Sequence, residues 1–137
     1  MSTDRVADRQ EINELLARYS WAMHDRDFDA WQACFTPDAH ADYTTAGGIA
    51  GTPAEAAAWL SSTMSMFETN ISHGGNVVVN FDSDDSAKVR SIYKMVMKIG
   101  GESPTYMEAC GYYNDVVVRT ADGWRIADRF EQILYIR

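Results

Sequence analysis

The chain has 137 residues, of which twelve are basic and twenty acidic, and its net charge is −8. A surface of this sign repels phosphate backbones and anionic headgroups, so we expect neither nucleic acid nor membranes as partners. The length suits one domain over residues 1–137 with a sizeable core. Cys34 and Cys110 lack the spacing of a zinc site or a disulfide framework, and the N-terminus is polar. These features predict a cytoplasmic protein without a bound metal.

Helical spacing of apolar residues characterises the first half of the chain. An apolar stripe predicts a first helix over residues 4–24, and Asp27 is placed to cap a short second helix that includes Phe35. Pro37 and Asp38 are expected to end that helix, with a short strand over 40–44 after them. A third helix begins at Thr52-Pro53-Ala54-Glu55, because this segment combines a capping box with proline at the first helical position.

From residue 71 onward the apolar period changes to two, which predicts strands. Turn clusters separate four of them, over 71–81, 86–99, 105–119 and 124–136, and we expect these strands to pair sequentially and antiparallel. Valine runs at 77–79 and 116–118 are apolar on both faces. The apolar face that does not meet the helices must be buried, either by the curved sheet itself or by a neighbouring subunit. We therefore expect a homo-oligomer, either a dimer or a trimer.

The order of helix, short helix, strand, helix and long meander resembles the nuclear-transport-factor-2-like fold, in its SnoaL-like family. The residues that carry the resemblance are Glu14 to Tyr19, Asp27 to Ala39, the strand around Asn76, Gly111 to Asp115 and Asp122-Gly123-Trp124. The resemblance implies an α+β fold in which a cone-shaped, strongly curved mixed or antiparallel sheet wraps around three N-terminal helices and encloses a pocket. It also implies an absence of cofactors.

Lyases of this family use an aspartate–histidine dyad, and the resemblance implies such a dyad from Asp25 and His73. His73 would take a carbon-bound proton, and Asp25 would hold its imidazole in the required tautomer. Arg129 on the last strand would stabilise developing negative charge, and Tyr43 would protonate a leaving hydroxyl. We therefore expect a cofactor-independent lyase, a dehydratase or dehydrohalogenase, acting on a small apolar or aromatic substrate.

The register of this match leaves alternatives open. The family's usual spacing gives the aspartate position to His24 and the histidine position to Ser72, in each case one residue before the dyad candidate. A one-residue slip on a strand turns the side chain to the opposite face, although a bulge at the two glycines after His73 would restore its direction. His24 is therefore an alternative base. An isomerase, a polyketide-type cyclase and a non-catalytic binding domain are alternative functions.

The pocket is expected to be lined by aromatic, methionine and amide side chains from the first helix and the later strands. The residues predicted to contact the substrate are Tyr19, Trp21, Tyr93, Met95, Tyr112 and Asn114.

Overall fold

A computed structural model describes residues 5–137 and contains three α-helices and one six-stranded sheet. The helices are α1 (Arg5–His24), α2 (Phe28–Gln32) and α3 (Pro53–Met64), and a 3₁₀ turn spans Thr44–Ala46. The strands are β1 (Phe35–Asp42), β2 (Ala50–Gly51), β3 (Thr69–Phe81), β4 (Ser86–Ile99), β5 (Thr105–Thr120) and β6 (Gly123–Ile136). Their spatial order is β2-β1-β6-β5-β4-β3. Among these described strands, β1 and β6 pair in parallel and the other neighbours are antiparallel, so the predicted α+β class with a curved mixed sheet is confirmed.

Helix starts follow the local sequence. The Thr52 hydroxyl accepts a hydrogen bond from the Glu55 backbone N–H at 3.2 Å, and the Glu55 carboxylate accepts one from the Thr52 backbone N–H at 3.5 Å. This is the predicted capping box. At the start of α2, the Asp27 carboxylate accepts from the Ala30 backbone N–H at 3.0 Å. None of the described helices combines the length and the apolar character needed to cross a bilayer.

The junction between α2 and β1 differs from the prediction. The second helix ends at Gln32, and Phe35 begins β1 instead of extending that helix. Pro37 and Asp38 therefore lie within a strand and do not end a helix. The pairing of β1 with β6 shifts between Phe35 and His40, and this irregularity accommodates a proline, which has no N–H to give to the ladder.

The core lies between the helices and the concave face of the sheet. Ile12 and Leu15 of α1 are completely buried there, as is Trp31 of α2. A polar contact fixes α1 against the end of the sheet, because the Trp124 indole N–H donates to the buried Asp8 carboxylate at 3.0 Å. Arg119 also donates to Asp8, at 3.1 Å. The first helix is therefore tied to the β5–β6 hairpin by a side chain that satisfies two donors.

Burial alternates along the long strands and separates two faces of the sheet. On β4, Val89, Tyr93 and Met97 are buried on the concave face, whereas Lys88 and Lys94 are exposed on the outer face. Residues directly opposite each other on neighbouring strands share a face. A side chain of β3 or β5 therefore lies on the same face as the β4 residue with which it is paired.

Strand β5 bends at Gly111, where its pairing with β6 shifts register. A Cβ atom at this position would collide with the Gln132 carbonyl oxygen and would approach the Tyr93 hydroxyl to 3.0 Å. The missing side chain thus lets the Tyr93 ring lie across β5. Tyr93 in turn stacks on Tyr113, with ring centroids 4.6 Å apart.

We predict that Gly111→Ala lowers the free energy of unfolding by ~3 kcal/mol, because the obstructing atom belongs to backbone and must move with its strand. Urea denaturation measures this loss. Gly75→Ala is the matched control, since a Cβ there meets nothing within 4 Å. Equal stability of the two variants would contradict the steric argument.

Candidate active site

A cavity of about 200 Å³ lies between α3, the end of α1 and the concave face of the sheet. Its wall is almost entirely aromatic and aliphatic, with several methionines. The residues that define it include Tyr19, Tyr43, Tyr93, Tyr113, Trp59, Leu60, Met64, Met95, Met97 and Ile133. Among the described residues, Glu131 of β6 is the one carboxylate in this wall. The cavity therefore suits a small apolar molecule that meets a single ionisable group.

Glu131 is almost completely removed from water, with 7% of its surface exposed. Burial disfavours the charged carboxylate and raises the pKa of Glu131 to about 7, although the Tyr93 hydroxyl, the Arg129 guanidinium and the Tyr113 hydroxyl act in the opposite direction. A carboxyl group with a pKa near neutrality exchanges a proton readily at physiological pH, which is what a general acid or base requires.

Arg129 and Asp115 form a buried ion pair beside this carboxyl. They lie opposite each other on β6 and β5, and the Arg129 Nε and Nη2 atoms each donate to a different Asp115 oxygen at 2.8 Å. The guanidinium sits between two rings, 4.3 Å from the centroid of Tyr19 and 3.8 Å from that of Tyr113. Its Nη1 atom is buried and has no hydrogen-bond partner in the described part of the chain. The pair leaves Arg129 one unused donor.

Two tyrosine hydroxyls meet inside the cavity. The Tyr19 and Tyr43 oxygens are 2.7 Å apart, and both side chains are buried. Burial raises the pKa of Tyr19 and raises that of Tyr43 well above its usual value. Both hydroxyls therefore stay protonated near neutral pH, and when Tyr19 donates to Tyr43 the Tyr43 proton remains available to a molecule in the cavity. Tyr43 lies in the wall of the cavity.

The structure does not bring His73 into this cavity. His73 lies opposite Lys94, which is exposed on the outer face, so the two side chains share that face. The register of β3 shifts only after Gly75, and the residue with left-handed backbone is Asn76, with φ of 52°. Because this bulge follows His73, it does not turn the imidazole inward.

Asp25 is exposed in the turn after α1 and is not part of the cavity wall. The expected contact between Asp25 and His73 is therefore not supported by the geometry, and the dyad stays a prediction.

His24 and Ser72 occupy the positions that the family spacing gave them, at the end of α1 and on the inward side of β3. The His24 Nδ1 atom lies 2.6 Å from the Asn70 carbonyl oxygen, to which it donates, and residues 5–137 give the other ring nitrogen no hydrogen bond. His24 and Ser72 share the wall of a separate pocket of about 140 Å³ with Ser20, Trp21 and Ile71. His24 is thus oriented as a base would be, but outside the apolar cavity.

The other predicted contacts divide between the two faces of the sheet. Tyr19, Tyr93 and Met95 line the cavity as expected. Tyr112 and Asn114 face outward, because their neighbours Tyr113 and Asp115 on β5 are buried. The Asn114 amide oxygen there accepts from the Arg90 Nε atom at 3.1 Å. Trp21 is 65% exposed at the surface of α1. The predicted substrate contacts of these last three residues are not supported by the cavity.

Sequence reasoning missed Glu131 and Asp115. A signal for the first existed: Glu131 is two residues after Arg129, and residues two apart on a strand point to the same face. Asp115 could be found only from the register of β5 against β6. Within residues 5–137, no group of three or more His, Cys, Asp or Glu side chains is arranged to hold a metal ion.

A cone of curved sheet closed by helices around an internal pocket defines the class of protein, and comparison with known families identifies it. The model of the SnoaL-like domain matches residues 4–129, and the chain belongs to this family. The predicted resemblance is confirmed. An uncharacterised protein of Mycobacterium tuberculosis strain H37Rv is 38% identical over 131 residues, covering 96% of this chain and 88% of the relative.

Solved structures agree with this assignment. The Kfla4162 protein of Kribbella flavida superposes with a TM-score of 0.87 at 25% identity, over 98% of this chain and 95% of that chain. A type 2 hexachlorocyclohexane dehydrochlorinase superposes with a TM-score of 0.82 at 20% identity, over 98% and 90% of the two chains. A Novosphingobium aromaticivorans protein provisionally named scytalone dehydratase gives a TM-score of 0.88 at 19% identity, over 100% and 91%. These last two likenesses show the fold alone.

We predict that Asp115→Asn destabilises the protein by roughly 3–5 kcal/mol, because it leaves the buried Arg129 charge without its partner. The double variant Asp115→Leu with Arg129→Met removes both charges and should recover most of this loss. Urea denaturation compares the three proteins. A double variant no more stable than the single one would refute the explanation by unpaired charge.

We also predict a pH dependence from Glu131. Its pKa of about 7 lies above the usual 4.5, so between these two pH values the folded chain holds a proton that the unfolded chain has lost. The contribution of Glu131 to stability therefore falls as the pH rises through this window, by up to ~3 kcal/mol. Relative to wild type, Glu131→Gln should gain stability between pH 5 and pH 8, on the order of that amount, in parallel urea titrations. An unchanged difference would show that Glu131 titrates normally.

Proposed function

We propose that this protein is a cofactor-independent lyase of the dehydratase or dehydrohalogenase type, which removes a carbon-bound proton from a small apolar or aromatic molecule. The observation that carries the proposal is a carboxyl group with a pKa of about 7 in the wall of an otherwise apolar cavity. Glu131 takes the role of the base. The solved dehydrochlorinase of the same fold supports the reaction class by analogy.

In the proposed reaction, the Glu131 carboxylate takes the proton and the C–H electron pair forms a carbon–carbon double bond. The bond to the neighbouring leaving group breaks at the same time. Tyr43 protonates a leaving hydroxyl, and its hydrogen bond with Tyr19 supports the tyrosinate that this transfer leaves behind. The Glu131 proton then returns to Tyr43, directly or through water, which restores both groups. When the leaving group is a halide, it departs as the anion, Tyr43 keeps its proton, and Glu131 releases its proton to water. Arg129 adds a smaller stabilisation of the negative charge that develops between these groups, because Asp115 compensates most of its own charge.

Proton shuttling within one substrate would use the same groups, so an isomerase or a cyclase is the nearest catalytic alternative. A non-catalytic binding domain is a second candidate of a different class. The placement of His73 on the outer face favours it, because the dyad of the lyases in this family then has no counterpart in the cavity. In both cases the ligand is a small molecule of the size and polarity that the cavity allows.

We also propose a homo-oligomer held through the outer face of the sheet. Ile71, Val78 and Ile92 are each more than half exposed on this face. Burying such residues against a second copy would remove them from water.

We predict that Glu131→Gln lowers turnover by ~10²–10⁴-fold, the usual contribution of a positioned base. Proton NMR in D₂O follows C–H exchange and elimination across a panel of small aromatic and alicyclic compounds with an acidic C–H next to a hydroxyl or halide. Glu102→Gln, at an exposed loop position, is the matched control and should be fully active. Undiminished exchange by Glu131→Gln would overturn the assignment of the base. Binding of panel compounds without any exchange would identify a binding domain.

His73→Gln and Asp25→Asn should retain wild-type turnover in the same assay, because both side chains are exposed outside the cavity. Loss of turnover in both variants, with unchanged thermal stability, would instead establish the dyad.

A further inference from the structure

A second cavity, of about 300 Å³, lies between α1 and the edge strand β3. Its β3 side includes consecutive residues, Ser72 to Gly75, although side chains alternate between faces along a strand. The strand therefore presents its backbone edge to this groove and not one of its faces. The floor is formed by the concave sheet at Ser91 and Arg129.

The backbone of this edge has unused hydrogen-bonding groups. In an antiparallel edge strand, alternate residues direct both N–H and C=O away from the sheet. The Asn70 carbonyl is one of these, since it accepts from His24, and Ser72 and Gly74 have the same parity. A Cβ built on Gly74 would lie 3.4 Å from the Ile92 carbonyl oxygen of β4. This carbonyl therefore approaches β3 from the side of the sheet, opposite the groove, which agrees with the outward direction of the Gly74 backbone groups. The backbone groups of Ser72 and Gly74 have no partner outside the sheet among the described residues.

The open stretch is short, because α1 occupies the edge at both ends. His24 holds the Asn70 carbonyl at one end, and the Arg9 Nη1 atom donates to the Val79 carbonyl at 3.0 Å at the other. The bulge at Asn76 breaks the regular edge between them. A long strand of another folded chain therefore cannot pair along it. Six residues from 72 to 77 span at most ~20 Å, which is the length of a small extended molecule.

The floor of the groove adds a donor. Arg129 lines it, is 1% exposed, and keeps its Nη1 atom without a hydrogen-bond partner in the described structure. Because Asp115 already balances the Arg129 charge, this donor is best matched by a neutral carbonyl oxygen and not by an anion. The groove contains no carboxylate among its described lining residues, so nothing in it selects a cation.

We propose that this groove, which shares the wall of Tyr19, Tyr93 and Tyr113 with the apolar cavity, is a second binding site for a small neutral ligand with secondary amide groups, about the size of a capped dipeptide. One amide of the ligand pairs with the free N–H and C=O groups of Ser72 and Gly74 and extends the sheet by a short segment. A further ligand carbonyl is directed to the Arg129 donor. This site does not depend on the proposed chemistry at Glu131.

The test uses backbone-amide NMR of the wild-type protein titrated with N-acetyl-alanyl-alanine N-methylamide. We expect shifts at Ser72 to Val77 and binding about five-fold weaker for the matched depsipeptide, whose central N–H is replaced by an ester oxygen. Gly74→Pro removes the edge N–H at a position where proline is tolerated and should weaken the amide by a similar factor, whereas Gly74→Ala should not. Glu131→Gln should bind it as wild type does.

Three results would overturn this proposal. The first is equal binding of the amide and the ester to the wild-type protein, which does not depend on any variant folding. The second is an absence of shifts at Ser72 to Val77 up to the solubility limit of the ligand. The third is binding of the amide by Gly74→Pro as tight as that by Gly74→Ala, because the edge N–H would then play no part in binding.

Discussion

The buried pair of Arg129 and Asp115 is the constraint on which the interior depends. A guanidinium inside a cone of apolar side chains is tolerated only when a carboxylate takes two of its donors, and this requires β5 and β6 to align with these residues opposite each other. The same guanidinium holds the rings of Tyr19 and Tyr113 on its two sides. Since Tyr19 belongs to α1, the pair fixes the sheet register and the position of the first helix together.

This pairing also explains why Glu131 has an unusual pKa. An unpaired arginine beside a buried carboxyl would stabilise the carboxylate and keep its pKa low. Here the Arg129 charge is largely compensated by Asp115, so desolvation is the largest influence on Glu131 and its pKa rises to about 7. The proton-exchanging group of the proposed reaction is thus a consequence of an ion pair between its own strand, β6, and β5. The two carboxylates differ in role because only one of them holds the guanidinium.

The sequence predicts what is local and misses what depends on distant strands. The Thr52 capping box and the alternation of β4 are encoded in neighbouring residues, and the structure contains both. The direction of His73 is different, because one residue of register decides its face. The bulge lies at Asn76, after the two glycines where the sequence predicts it. The raised pKa of Glu131 likewise cannot be read from neighbouring residues, because it results from burial among side chains of α1, α3, β4 and β5 that share its cavity.

The positions of residues at the end of α1 and on β3 decide whether a catalytic role known in the family can be assigned to this chain. His24 and Ser72 stand at the positions where the resemblance expects an aspartate and a histidine, and neither Asp25 nor His73 lines the apolar cavity, so likeness of fold alone does not establish the dyad. A chain that keeps the apolar cone but not the dyad needs another ionisable group inside the cone for proton transfer. Glu131 is the carboxylate that the described cavity wall offers. If this protein is a lyase, its chemistry has therefore moved from the α1–β3 side of the fold to β6, and its pH dependence will follow a carboxyl and not an imidazole.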